Sequence, residues 1–334
     1  MKPIRIALIG MNENSHCVQI MSRIRDYKQY FDLVGYVLPE NERERLPVQV
    51  SKLEGLQELS LEQVLNDPTI EAIAVETDEI YCSKYALLAA KAGKHVHMEK
   101  PGGIELAEFE ELIATVKEKD LVFCPGYMYR YNPYVKELIA SIEKGELGEI
   151  TSVEAQMSCV HTVQDRHWLG QFPGGMLFFL GCHLIDLIYR IQGEPEKIHA
   201  LSRSVGTDGV EACDYGMTVL EYPHGVSFAR CISTERGGYR RRQLVVTGTK
   251  GTVELKPLEW GPEAGMVTHR NISTQERWQV PGEDSVTELF DRYEAMLAHF
   301  AACVRGEQEN EFTPDYELAV YKLLLRCCGK TEIN

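Results

Sequence analysis

The first 120 residues alternate short apolar runs with longer amphipathic segments, and this alternation constrains the fold more than any other feature of the chain. Parallel strands need a crossover between them, usually a helix, so strand-length runs separated by helical periodicity point to βαβ units. Ile4 to Ile9 is the first run. Val18 to Ile24, with apolar residues three and four apart, is the helix after it, and Leu33 to Leu38 is a second strand. Leu61-Glu62-Gln63-Val64-Leu65 is a short helix that ends before Asp67-Pro68, and the strand Ala72-Ile73-Ala74-Val75 follows. Lys84 to Lys91, closed by Gly93, is another helix. His95-Val96-His97-Met98 is the next strand, Glu105 to Lys117 a strongly amphipathic helix, and Leu121-Val122-Phe123 a further strand. The pattern predicts a doubly wound α/β domain over residues 1–124.

After about residue 125 helices become fewer, and β-branched alternating stretches separated by turn residues take over. Thr151 to Met157, Lys197 to Ser202, Gly216 to Tyr222, Val226 to Ile232 and Gln243 to Thr247 are expected strands. Val253 to Leu255 follows the turn Thr249-Lys250-Gly251. Phe178 to Ile191, Val286 to Val304 and Asp315 to Cys328 are expected helices. The reading is a second, α+β domain over residues 125–334 with a mostly antiparallel sheet, and 334 residues suit two domains.

Charge and cysteine spacing narrow the function classes. Fifty acidic against thirty-five basic residues leave a formal charge of −15, spread along the chain, which disfavours a nucleic-acid footprint. The run Arg240, Arg241, Arg242 is read as a solvated strand end. Ten cysteines are scattered without zinc-site spacing. The opening segment has no secretory h-region and no stretch of eighteen apolar residues occurs, so a reduced, cytoplasmic protein without a membrane helix is expected.

A doubly wound domain takes its ligand at the carboxyl ends of the strands, near the first strand-to-helix turn. Here that turn is Gly10-Met11-Asn12-Glu13-Asn14-Ser15, and of the three glycines in the dinucleotide fingerprint only Gly10 is present. Asn12 adopts a positive φ more readily than most residues, and Ser15 is small enough to hydrogen-bond a phosphate. The acidic residue expected at the end of the second strand is replaced by Leu38. Glu40 could reach a ribose instead, and Arg43 and Arg45 could meet a 2′-phosphate, although this short stretch also reads as a solvated loop. From the turn and the strand alone, a dinucleotide site and a merely structural domain both remain open.

A later block tips the balance. Ala92-Gly93-Lys94-His95-Val96-His97-Met98-Glu99-Lys100-Pro101 resembles the AGKHV…EKP signature of the glucose–fructose oxidoreductase, inositol dehydrogenase and rhizopine catabolism family, Gfo/Idh/MocA. Further family-like blocks follow in order. They are Gly126 to Pro133, Gly145 to Ile150, Gly174-Gly175 through Gly181-Cys182-His183-Leu184-Ile185-Asp186, and Gly248 to Thr252. The resemblance spans nearly the whole chain. It implies an N-terminal Rossmann domain, a C-terminal α+β domain with an open sheet, a homodimer or homotetramer, NAD or NADP as cofactor, and a sugar, polyol or glycoside as substrate.

Carried over residue by residue, the resemblance implies that Lys100 and His183 are catalytic. Lys100 would reach nicotinamide ribose and substrate hydroxyl, with a pKa lowered by the cationic ring; His183 would take the hydroxyl proton. The family's aspartate four residues before the histidine is Phe179 here, and Asp186 could partly compensate or form a salt bridge. The cofactor-binding set is Gly10, Met11, Asn12, Asn14, Ser15, Thr77, Glu99, Lys100 and Arg130. The substrate-binding set is Tyr127, Asp165, His167, Trp168 and His183, the middle three on the loop His161 to Trp168. The spacing of His161, Asp165 and His167 suits no helix or strand face, so no metal is expected.

The function so implied is hydride transfer at a secondary alcohol carbon. Two alternatives stand beside it: a glycoside-cleaving enzyme that uses tightly held NAD transiently, and a binding or regulatory protein that lost the chemistry, motivated by Asn12 with Ser15, by Leu38 and by Phe179. The acidic balance favours a neutral polyol or glycoside over a strongly anionic substrate.

Overall fold

Residues 2–261 and 265–330 are described by the structure, a computed structural model. β1 (Ile4–Ile9) is buried along almost its whole length, as a strand covered on both faces must be. It lies inside a five-stranded parallel sheet of order β2 (Phe31–Val37), β1, β3 (Ala72–Val75), β4 (His95–Met98), β5 (Phe123–Pro125). The crossovers carry α1 (Cys17–Asp26), α2 (Leu61–Asn66), α3 (Cys82–Lys91) and α4 (Leu106–Glu118). The apolar spacing seen in the sequence is the buried stripe of α1, namely Cys17, Ile20, Met21 and Ile24. Ser60 and Gln63 start α2 with a reciprocal capping box. The strand order reverses between β1 and β3.

The second unit is built on an eight-stranded sheet. Its order is β13 (Glu283–Val286), β12 (His269–Ser273), β11 (Gly251–Leu255), β10 (Gln243–Gly248), β6 (Ile150–Gln156), β9 (Gly225–Ile232), β8 (Tyr215–Tyr222), β7 (Lys197–Ala200). Among its described strands only β6 and β9 pair in parallel. Along most of β8 and β10 buried residues, among them Thr218, Leu220, Leu244 and Val246, alternate with half-buried ones, which is the alternation of a sheet with one covered face. This unit also holds α5 (Pro133–Glu143), α6 (Val163–Trp168) and α7 (Cys182–Gln192), the last lying against β6 and β9.

Two helix expectations need correcting. The segment from Phe178 to Ile191 is a turn of helix over Met176–Phe179 and then α7, broken at Leu180 and Gly181. A Cβ on Gly181 would sit 2.6 Å from the Leu177 carbonyl and 3.0 Å from Cys231 Sγ, so the helix begins where its backbone touches its neighbours. The helix expected from Val286 starts only at Glu294, because Val286 pairs with His269 as the end of β13. β12 and β13 escaped the pattern because most of their residues are polar and none is buried.

The chain then returns. α8 (Glu294–Val304) and α9 (Pro314–Cys327) follow, and residues 293–321 belong with the first unit, which otherwise covers residues 1–126. The sequence reading placed everything after residue 124 in the second domain. What draws the segment back is apolar burial: Phe300 lies 6.3 Å from the Phe31 ring and 5.9 Å from that of His97, and Tyr321 stacks on Phe109 at 4.2 Å. Among the described residues no helix is long and apolar enough to cross a membrane, and all ten cysteines are free thiols.

Candidate functional site

The reversal between β1 and β3 puts the ligand crevice of the first unit at the carboxyl ends of β1, β3 and β4. Gly10 leaves β1 with φ 86°, and a Cβ there would lie 2.4 Å from Thr77 Cβ, so only glycine lets the two strand ends meet. Asn12 does not use the left-handed backbone that an asparagine can adopt. Its buried side chain instead donates to the Glu76 carbonyl at 3.0 Å and accepts from the Ser15 amide at 2.8 Å, filling space that a second glycine would leave open. Asn14 is half-buried in the same turn.

Carboxylates meet the polar groups of that turn. The Ser15 hydroxyl, expected to face a phosphate, donates to Glu79. The Met11 amide donates to Glu42 at 3.0 Å, and the Thr77 hydroxyl donates to the same carboxylate at 2.6 Å. Glu99 accepts from the amides of His16, at the start of α1, and of Lys100, the latter at 3.0 Å. Lys100 Nζ stands 3.7 Å from Glu99 Oε1, and both side chains are buried.

Burial decides the protonation of this cluster. Glu42, Glu76, Glu79 and Glu99 are each at most 3% exposed. Both Glu76 carboxylate oxygens and Glu79 Oε2 are buried without a hydrogen-bond partner among the described residues. Desolvation raises Glu42 to about 8, against the opposing bonds from Thr77 and Met11. It raises Glu79 to about 7, against the pull of Lys100 and Ser15. Glu76 is held well above the carboxylate range by burial and then by the charges of Glu99 and Glu79. His97, whose Nε2 lies 3.8 Å from Glu76, is pushed down to about 4 by burial, so it is neutral near pH 7.

The end of β2 is also engaged. Glu40, the suggested ribose ligand, accepts from Lys84 Nζ at 2.6 Å and from the Tyr85 hydroxyl at 2.7 Å. Arg43 pairs with Glu58, and Arg45 pairs with Asp78 at 2.7 Å.

In the second unit, His183 occupies the first turn of α7 and is buried. The rings of Tyr127 and Tyr129 meet it edge-on at 5.8 and 5.0 Å. Tyr129 donates its hydroxyl to Glu259, a buried carboxylate that Arg242 and Arg292 also hold at 2.5 and 2.7 Å. Phe179 packs against Trp168 at 4.9 Å and His161 at 6.2 Å. The structure therefore groups His183 with Tyr127, and Trp168 with Phe179.

Other expected site residues are placed differently. Arg130, suggested for the cofactor, sets its guanidinium on Asp186 with Nε at 3.0 Å and Nη2 at 2.6 Å, and lies over the Tyr127 ring. Asp186, suggested as a partner for His183, is thus the acceptor of an arginine fork. The loop expected from His161 to Trp168 is mostly helix, because Thr162 and Asp165 form a capping box at the start of α6. Asp165 therefore caps a helix, and His167 is exposed.

Sequence reasoning passed over Glu42, Glu76, Glu79 and Glu259, met Tyr129 only inside a family-like block, and read Arg242 as part of a solvated strand end, whereas its side chain is only 11% exposed and pairs with Glu259. Glu76 and Glu79 had a signal, since they directly follow the buried strand Ala72–Val75 at the end where doubly wound sheets bind ligands. Glu259 had none, being 130 residues from Tyr129.

Comparison with known proteins bears on both units. Residues 4–127 match the profile described as oxidoreductase family, NAD-binding Rossmann fold, and residues 135–254 match the GFO/IDH/MocA C-terminal domain. A trans-1,2-dihydrobenzene-1,2-diol dehydrogenase of Bos taurus is 32% identical over 209 residues, which is 61% of this chain and 60% of that enzyme. The crystal structure of an aldose–aldose oxidoreductase from Caulobacter crescentus, complexed with glycerol, superposes with a TM-score of 0.77 at 21% identity, covering 98% of each chain. That of a 3-ketoreductase from Actinomadura kijaniata, in complex with NADP and TDP-benzene, gives 0.76 at 18% identity over 96% of each.

Proposed function

The chain belongs to the Gfo/Idh/MocA family of oxidoreductases, and from that premise we propose that it transfers a hydride between NAD or NADP and a secondary alcohol carbon of a sugar, cyclitol or glycoside. The observation that carries the proposal is the presence of a buried lysine at the carboxyl end of β4 and a buried histidine in the first turn of α7, within two units that both match the family. The diol and aldose named for two of the similar proteins support a CH–OH substrate.

The crevice of the first unit fits a dinucleotide in its backbone. Gly10 and Thr77 bring two strand ends together, α1 starts beside them, and Lys100 supplies a cation. The carboxylates fit once they are neutral, a state that the raised Glu42, Glu76 and Glu79 reach without acid conditions. The Gly10 to Ser15 turn, Thr77, Glu99 and Lys100 would hold the cofactor, which supplies a nicotinamide carbon as hydride acceptor or donor. Lys100 Nζ would orient ribose and substrate hydroxyl, and a ring nitrogen of His183 would take the hydroxyl proton. Tyr127 and Tyr129 would keep that ring in place and exclude water, and Phe179 and Trp168 offer apolar faces for a sugar ring.

The test is turnover of polyols, aldoses, glycosides and cyclic vicinal diols with each nicotinamide cofactor, followed at the nicotinamide absorbance. Lys100→Ala and His183→Ala should each lower kcat/KM by about 10²–10⁴ on the best substrate. Unchanged turnover in both would remove the chemistry from these residues. A released aglycone without net reduced cofactor would move the assignment to elimination.

A further inference from the structure

Glu79 is the carboxylate that bears most directly on the cofactor turn. It follows β3, is 1% exposed, accepts from the Ser15 hydroxyl through Oε1, and leaves Oε2 buried without a partner among the described residues. Beside it Glu99 accepts from the amide of His16, where a helix start would otherwise offer its donors to an anion. A pyrophosphate bound here would bring negative charge against two buried carboxylates that share one lysine. Low-dielectric surroundings make such a contact unfavourable while the carboxylates are ionised.

We propose that Glu79, with Glu99 beside it, makes dinucleotide binding proton-coupled: the cofactor binds as one proton moves from solvent onto this carboxylate pair. This rests on the cofactor reading above and specifies how the site accepts the group. Ser15, the side chain expected to serve a phosphate, then exchanges an ionised acceptor for a neutral one that competes less for its hydroxyl.

Other titratable and charged groups around Glu79 frame the effect. Lys100 and Glu99 face it from the end of β4, and Glu76 and Cys82 from either side of its own turn. Cys17 on α1 lies within the fields of Glu76 and Glu99. Asp78 is held by Arg45, His16 by the Tyr293 hydroxyl at 3.0 Å, and His97 faces Glu76. Glu42 sits behind Thr77 and Met11 and titrates nearby at about 8, so it is the competing proton acceptor that the experiment must separate.

The experiment measures NADH and NADPH binding to the whole protein by nicotinamide fluorescence between pH 6 and 8.5, and by calorimetry in two buffers of different ionisation heat. Expected is an affinity that falls about tenfold per pH unit above about pH 7, with about one proton taken up per dinucleotide. Glu79→Gln should flatten the profile and bind about tenfold or more tighter than the wild type at the alkaline end. Flat affinity and buffer-independent heat in the wild type overturn the proposal, and this arm decides it even if the variant does not fold. Proton uptake that survives Glu79→Gln but vanishes in Glu42→Gln overturns it as well. Absence of binding by either dinucleotide at every pH overturns the cofactor reading itself, and this proposal with it.

Discussion

The two units treat buried carboxylates in opposite ways. In the second unit Asp186 takes Arg130, Asp214 takes Arg166 Nε at 2.7 Å, and Glu259 takes Arg242 and Arg292. In the first, Glu42, Glu76, Glu79 and Glu99 gather around the ends of β1, β3 and β4, where Lys100 is the cation the last three share and Arg45 the one that bears on Glu42. Taking a carboxylate out of water costs several kcal/mol unless a partner compensates, and an uncompensated group neutralises instead. Pairing therefore compensates each of these carboxylates in the second unit, whereas burial in the first raises Glu42, Glu76, Glu79 and Glu99 above the ordinary carboxylate range. The difference lies in what meets each buried carboxylate: guanidiniums in the second unit, mainly backbone amides and hydroxyls in the first.

Breaking a pair should produce the largest effect. Arg130→Ala leaves Asp186 buried without its guanidinium and is expected to cost about 3–5 kcal/mol of stability, measured by denaturant unfolding near pH 7. A loss under about 1 kcal/mol would erase the contrast between the units.

The next effect has the opposite sign. Because the native pKa of Glu79 is raised from 4.5 to about 7, the folded protein binds more protons than the unfolded chain between those values. Its contribution to stability is therefore most favourable at low pH and is lost as pH rises to about 7. Glu79→Gln removes that dependence. The variant should match the wild type near pH 4.5 and exceed it by up to about 3 kcal/mol at pH 8, read as the difference between two unfolding curves. Equal stability at both pH values would place Glu79 among ordinary compensated carboxylates.

Smaller changes sharpen the comparison. Gly10→Ala forces a side chain into a positive φ and against Thr77, at a cost of at least about 1–2 kcal/mol, and it should weaken dinucleotide binding together with stability. Thr162→Ala removes the cap of α6 in the second unit and should cost about 1 kcal/mol, leaving the pH profile of cofactor binding unchanged. A changed profile there would mean that the two behaviours are not separable.

Much of the fold was legible because it is written in local periodicity. The buried stripe of α1, the apolar runs of β1 and β3 and the alternation of β8 and β10 each repeat with the period of their element. Less of the site was legible. Lys100 and His183 stand out through the blocks that contain them, but Asn12, Ser15 and Arg130 were assigned to a ligand, and the structure gives each a protein partner. A side chain's type shows what it can bond to, not which acceptor the fold brings within reach.

By itself the sequence determined the order of most strands and helices, the change of character near residue 125 and the family, because these depend on patterns within short stretches or on ordered blocks. Only the tertiary structure decided that residues 293–321 return to the first unit, that Asp186 belongs to Arg130, and that four glutamates share one crevice. These are long-range facts. Desolvation and pairing act through space, so a glutamate at residue 79 and another at residue 99 bear on each other only when the sheet brings the ends of β3 and β4 side by side.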